Sequence, residues 1–446
     1  MRTMNFLKMI GHIINDRRFI LAAVVALVSA VPYAGSVVAR EKALNGPPPI
    51  GDVIAEWHQE AVRLTILPAS GLAPVQQSQA MTIVQVSVHD AVNGITREHE
   101  TYLSRLPAPA GASPEAAAIA ASYHALRNLF PSHSTSLDAL FANSLAAHGL
   151  SINDPGIGYG ITAATRILTA RMNDGSGQAQ FNYVAPGAGL PGVWVPLTSL
   201  PALLPGWGNT TTWVLRSSSQ FRPEAPPALN SERYARDYNE VKIIGAANSP
   251  LRTGEQTQIA TFWLGSPVAI WSQPLAQLNA LQGGLSLSQR ARTFALMYIA
   301  AADSGIACWE AKYFYNFWRP QPAIQRGIED GNPLTAPDPT WTPLVPTPRH
   351  PEYPSGHTSN STAMVAVLQM AFGDRPGVPI NSTITGITRQ WSSFGQGLDE
   401  VIDARVYSGI HFRTADEAGS RMGGQIAQFV VMHALRPCRG QGARCS

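Results

Sequence analysis

Pro354-Ser355-Gly356-His357 runs straight into a helix-patterned stretch, Thr358 to Phe372, and the reading of that junction organises the whole chain. Ser355 stands where an N-cap belongs, and Gly356 lets the backbone approach a ligand closely. The amides of Gly356 and His357 then face out of a helix N-terminus, whose dipole favours an anion. His357 stands at the mouth, where an imidazole exchanges a proton near neutral pH. In isolation this is an ordinary capped helix with an exposed histidine.

Two further stretches change that reading. Lys312 and Arg319 lie seven apart, two helical turns, which places both on one helix face with Pro320 ending the helix. Trp309, Tyr313, Phe314, Tyr315, Phe317 and Trp318 make this segment too aromatic for a free surface. Half-buried cations require an anionic partner, and Glu310 falls on a different face from Lys312. Arg405 and His411 are six apart, and Gly409 between them ends a helix and turns the chain so that both converge. Arg405 adds a planar fork of donors suited to a tetrahedral oxyanion. His411 reads either as a nucleophile towards phosphorus or as a ligand to a metal oxyanion.

The other candidates rank below these. His89-Asp90 reads as a satisfied core pair. Glu255, Asp303, Asp399 and Asp403 read as acids that orient the arginines from behind. There is no carboxylate cluster of the two-metal phosphatase kind, no P-loop and no Gly-x-Ser-x-Gly elbow in the sequence.

Composition bounds the rest. With 446 residues the chain is long enough for one large or two ordinary domains. Charged residues make up 14 %, while Gly and Pro number 38 and 35, which fits a packed body with long surface loops. A formal charge of +3 with no basic, aromatic-interleaved run argues against nucleic acid as a partner. Arg2, Lys8, Arg17 and Arg18 precede an apolar run, Phe19 to Val31, followed by small residues. Residues 1–39 therefore read as an export signal or an N-terminal anchor, and the mature protein as periplasmic or secreted with no membrane span. Of three cysteines, Cys438 and Cys445 are close enough to close a small disulfide loop, leaving Cys308 single.

Helical periodicity is expected around 53–64, 81–95, 114–147 with a break at Pro131, and 157–172. It recurs at 231–244, 253–264, 286–317, 358–372, 388–407 and 415–435. Residues 176–228 are rich in Pro, Gly, Trp and Ser and read as a long functional or wrapping loop. The chain is thus all-α, with an N-terminal helical half (40–228), a C-terminal half that carries the site (229–437) and a short tail (438–446).

The three stretches together resemble the signature of the vanadium-dependent haloperoxidase and type 2 phosphatidic acid phosphatase superfamily. Its pattern is Lys-x6-Arg-Pro, then Pro-Ser-Gly-His, then Ser-Arg-x3-Gly-x-His-x3-Asp. Two positions depart from it: Ala404 replaces the Ser, and the trailing acid, Asp416, comes one residue late. The resemblance implies two four-helix bundles with the site in the C-terminal one. In the haloperoxidase branch, His411 would coordinate vanadate, and Lys312, Arg319, Arg405, Ser355 and the Gly356 amide would neutralise its oxygens. His357 would act as acid and base, Lys312 would polarise bound peroxide, and hydrogen peroxide and a halide would be the small-molecule substrates. In the phosphatase branch the site would need no cofactor. A phosphate ester would be the substrate, with His411 as nucleophile through a phosphohistidine. Trp309 resembles the chloroperoxidase type and His350 the bromoperoxidase type, so the implied halide preference is mixed. The missing spans favour the haloperoxidase branch over the polytopic lipid phosphatases.

Overall fold

A computed structural model describes residues 52–103, 106–281, 284–374, 378–382 and 384–438; the expected export segment and Cys445 lie outside them. Thirteen α-helices form among the described residues. The first five are α1 (Val53–Ile66), α2 (Pro74–Thr96), α3 (Pro114–Leu129), α4 (Ser134–Ala147) and α5 (Pro155–Arg171). After the long loop come α6 (Glu232–Ile244), α7 (Gly254–Phe262), α8 (Pro267–Leu281), α9 (Leu287–Tyr315) and α10 (Pro320–Gln325). The chain ends with α11 (Gly356–Phe372), α12 (Phe394–Tyr407) and α13 (Arg413–His433). A minimal antiparallel ribbon, β1 (Ile380–Asn381) with β2 (Thr388–Arg389), is the single sheet among the described residues.

Local chemistry sets the helix starts. Asp52 caps α1 by accepting from the amides of Ile54 and Ala55, and Ser286 closes a capping box with Gln289 at α9. Helices α2, α3, α5 and α10 open on proline, whose missing N–H is an orphan there anyway. Every residue of α9 from Phe294 to Trp309 is buried, as expected of a helix apolar on all sides. It packs on α2 in one direction and on α11 and α13 in the other, so α9 is the strut shared by two bundles. The first bundle is built from α1, α2, α3 and α5, the second from α9, α11, α12 and α13.

The 176–228 loop wraps α9. Asp303, buried in that helix, accepts from the amides of Trp213, Val214 and Leu215 at 2.6, 2.8 and 3.0 Å. Trp194 N–H donates to Asn316 O, and Arg222 pairs with Glu310. The tryptophans at 194, 207 and 213 are all buried, so the loop is held by packing as well as hydrogen bonds.

Four expectations are corrected. Helix α8 is absent from the sequence reading because Pro274 interrupts its pattern; the helix tolerates it internally. The helix expected over 388–407 starts only at Phe394. Trp391 is stacked on Trp263, and Ser393 caps the following turn. Lys312 and Arg319 do not share a helix face. Asn316 adopts the left-handed conformation and ends α9, and Pro320 begins α10 rather than terminating the preceding helix. The acids expected behind the arginines act elsewhere: Asp303 holds the loop, Glu255 pairs with Arg389, Asp403 pairs with Arg413, and Asp399 is exposed.

His89 and Asp90 are buried and satisfied, but not by each other. His89 Nε2 lies 2.9 Å from Glu100 O, while Asp90 accepts from the amides of Tyr102 and Leu103. Burial pulls His89 and His58 each down to about 3 from 6.5. Below pH 6.5 the unfolded chain takes up these protons and the folded chain refuses them until about pH 3, so stability is full above 6.5 and is lost as pH falls. Each site costs about 1.4 kcal/mol per pH unit in that window. Between pH 7.5 and 5 the two together are expected to remove about 4 kcal/mol, or roughly 5 °C of melting temperature for a chain this long. The check is a difference: thermal circular dichroism from pH 7.5 to 5 on the wild type and on His58→Gln and His89→Gln, where a pH dependence unchanged by both substitutions would contradict their burial as neutral groups.

Candidate oxyanion site

The N-terminus of α11 forms the floor of a cavity of about 280 Å³. Its first-turn amides have no intrahelical acceptor, as at any helix start. Ser355 occupies the N-cap position without a side-chain cap bond; its amide donates to Ala415 O, tying α11 to α13, and its hydroxyl lies beside the Asp416 carboxyl. A Cβ on Gly356 would sit 3.2 Å from the Trp309 ring, tight enough that the indole would have to shift by a few tenths of an ångström.

Gly409 does what its position suggested. Its φ of +76° turns the chain between α12 and α13, and a Cβ there would collide with the Gly245 carbonyl. Arg405, in the last turn of α12, and His411, just ahead of α13, thereby line the same cavity as Gly356, His357, Trp309 and His350. Arg405 Nη1 donates to Trp263 O at 2.8 Å, and its Nε is buried with no partner. A buried guanidinium N–H without an acceptor is costly, and an anion in the cavity would supply one.

The other two cations are engaged differently from the sequence reading. Lys312 Nζ donates to Pro351 O, Glu352 O and Pro354 O at 3.0, 3.0 and 2.5 Å, which uses all three ammonium protons. It holds the 351–354 segment under α11 and does not line the cavity. Burial lowers it to about 8. Arg319, fully buried, donates from Nε to His350 O and from Nη1 to Ile410 O, and its Nη2 lies 3.0 Å from His350 Nδ1. Burial lowers Arg319 and Arg405 each to about 10, so both stay charged at neutral pH.

His411 is oriented from both sides. Arg319 Nη1 is 3.1 Å from its Nε2, and Glu352 Oε1 is 2.8 Å from its Nδ1. Arginine has no acceptor, so Nε2 must carry the lone pair and Nδ1 the proton. Burial, with Arg319 and Lys312 nearby, holds His411 well below 6.5 and therefore neutral. Glu352 Oε1 also accepts from the Phe412 amide at 3.0 Å, and burial pushes this carboxyl up to about 8 against the pull of Arg319 and Lys312. Asp416, by contrast, is 0 % exposed against Ser355 and is raised well above 3.8 by burial. The acid on His411 is thus Glu352, which the sequence reading missed. Its signal was a lone carboxylate within the apolar run between His350 and Pro354, which burial would oblige to find a partner.

His357 is also held well below 6.5, chiefly by burial and then by Arg405, and its Nε2 lies 3.3 Å from Gly265 O. The near-neutral titration expected from the sequence is therefore not a property of the cradle when no anion balances its cations. Among the described residues no three His, Cys, Asp or Glu side chains converge as a metal cluster. None of the described helices is long and apolar enough to cross a membrane.

Residues 292–440 match the family model of the VCPO second helical-bundle domain. A vanadium chloroperoxidase from Curvularia inaequalis is 25 % identical over 205 residues, 39 % of this chain and 33 % of that protein. The chain thus aligns with about a third of the length of that relative. The fold is shared with a bacterial vanadium-dependent iodoperoxidase at a TM-score of 0.73 and 24 % identity, over 87 % of this chain and 98 % of the other. It is also shared with a bacterial vanadium-dependent chloroperoxidase in its apo form, at a TM-score of 0.65 and 19 % identity, over 80 % and 93 % of the two chains.

Proposed function

We propose that this chain, which has the fold of the bacterial vanadium haloperoxidases and their second helical-bundle domain, is a vanadate-dependent haloperoxidase. The reaction consumes hydrogen peroxide, a halide and a proton and yields hypohalous acid and water. The observation that carries this reading is His411: a neutral imidazole with its lone pair fixed on Nε2, beside an Arg405 Nε that has no partner. One imidazole nitrogen and one unpartnered guanidinium N–H on residues lining the same cavity suit a metal oxyanion that takes a single protein ligand.

His411 Nε2, Arg405, Arg319, Ser355 and the Gly356 amide are the groups that would hold vanadate. When bound, vanadate supplies a Lewis-acidic centre that activates peroxide. The protein residues do the rest. His411 Nε2 would offer vanadate the lone pair that now faces Arg319 Nη1, and Arg319 would supply positive charge and a donor beside it. Lys312 contributes charge, since its protons are on backbone carbonyls. His357, kept neutral chiefly by burial and then by Arg405, would become more basic where an anion offsets the charge of Arg405, and would take up and return a proton there. Residues 1–39 are read as an export signal or an N-terminal anchor.

Purified protein supplied with vanadate is expected to oxidise iodide or bromide with peroxide, and excess phosphate is expected to suppress this by filling the same cradle. Ready hydrolysis of p-nitrophenyl phosphate with no halide oxidation from about pH 4 to 8, the range over which histidines titrate, would overturn the proposal in favour of a phosphatase.

A further inference from the structure

The far end of the second bundle carries an opening of its own. Met370 lies fourteen residues beyond Gly356 on α11, about 20 Å along the helix axis from the oxyanion cradle. There a cleft of about 340 Å³ lies between the first turns of α9 and the last turns of α11 and α13. That volume is within the range of small-molecule sites, about 300–1,000 Å³. Gln289, Arg292, Thr293 and Leu296 recur at i, i+3, i+4 and i+7 and so present one face of α9 to it. Leu285, Leu296, Val367, Met370, Ala371 and Val431 give the cleft an apolar wall. No Asp or Glu is among the described lining residues, and Arg292 is the single charged side chain among them.

Arg292 is half-buried, and its Nε donates to Leu435 O at 2.6 Å, which anchors the guanidinium just beyond α13. Its Nη1 and Nη2 have no hydrogen-bond or ion-pair partner among the described residues. The bond to Leu435 O thus accounts for Nε and leaves the planar fork of Nη donors open. His99 adds no second charge: its Nδ1 lies 2.8 Å from Ser288 Oγ, and burial, with Arg292 nearby, lowers it to about 4. Glu98 is near enough to act on His99, but its carboxylate accepts from Ser286 Oγ and it does not line the cleft. A space of this size holds roughly ten groups of water size, at about 30 Å³ each. We propose that the cleft binds an amphipathic monocarboxylate, with its carboxylate on the Arg292 fork and its apolar chain along Leu296, Met370 and Val431. A multiply charged anion is disfavoured, because α11 and α13 both end here and one arginine offsets one charge against their C-terminal dipoles. A cation is disfavoured by Arg292, and an uncharged chain would leave the Nη groups unpaired. This binding does not depend on the haloperoxidase reading.

The test is calorimetric titration of octanoate into the full-length protein, with orthophosphate in excess to occupy the oxyanion cradle. Saturable one-to-one binding is expected in the wild type. Arg292→Gln removes the charge and keeps a donor, and should weaken octanoate by about tenfold or more, the usual worth of a hydrogen bond to a charged group. Ala371→Phe fills the apolar wall and should weaken it by about as much. n-Octanol, with the same chain and no charge, should bind about tenfold more weakly than octanoate. No saturable binding, affinity unchanged in either folded variant, or octanol binding as tightly as octanoate would overturn the site. Octanoate affinity that falls as orthophosphate is raised would place the ligand in the cradle and overturn it equally. Melting temperatures identify a variant that fails to fold, in which case the other variant and the octanol comparison decide.

Discussion

Replacing His411 with alanine is expected to abolish both oxyanion binding and halide oxidation, the largest effect of any single change in the cavity. The substitution removes the lone pair that would hold the ligand and also takes one of two partners from each of two buried groups, Arg319 Nη1 and Glu352 Oε1. Changes one step out from a metal ligand typically cost 10- to 100-fold in affinity, so loss of the ligand itself should exceed about 100-fold. His357→Ala is expected to behave differently. His357 contacts Gly265 O and not the nitrogen that would bear the ligand, so vanadate or phosphate affinity should stay within about threefold while turnover falls by about 10²- to 10⁴-fold, the usual worth of a positioned acid or base. Calorimetric titration with vanadate and with phosphate, alongside steady-state halide oxidation, separates the two. Equal loss of binding in both variants would refute the assignment of the ligand to His411 and the proton to His357.

The parts of this site that were legible in the sequence are those where the backbone demands a residue type. Gly409 is required by a positive φ pressed against Gly245 and was read as a turn, while Gly356, read as a place of close backbone approach, leaves a Cβ tight against Trp309. Helical periodicity likewise gave most of the bundle, because long amphipathic or wholly apolar runs leave little choice. What failed were inferences about direction. Spacing placed Lys312 and Arg319 on one face, but a single left-handed residue, Asn316, and a proline at the first position of α10 cannot be told from a helix stop by periodicity. Lys312 was read as facing the oxyanion, whereas its Nζ donates to three backbone carbonyls. The apolar wall of the oxyanion cavity was invisible for another reason. Val75, Leu203 and Leu264 are distant in sequence, and each alone is an unremarked apolar residue until packing brings them around one space.

Glu352 provides the second large effect. Its Oε1 accepts from His411 Nδ1–H and from the Phe412 amide, and it can do so whether the carboxyl is ionised or carries a proton on Oε2. What the site needs from it is an acceptor that locks the tautomer and ring plane of His411. Glu352→Ala should therefore free the ring, allow the proton to move to Nε2, and weaken vanadate or phosphate binding by about 10- to 100-fold. Glu352→Gln retains a carbonyl oxygen of the same reach, so it should recover most of that affinity. A residue that merely filled space would show no such recovery, and a residue needed for its charge would lose as much as glutamine as it does as alanine. Asp416→Asn is the control: the acid that the family pattern places behind the histidine faces Ser355 here, so its loss should disturb oxyanion binding less than Glu352→Ala does. If Asp416→Asn is the more damaging of the two in calorimetric titrations, with melting temperatures showing both variants folded, the assignment of the His411 partner to Glu352 is wrong.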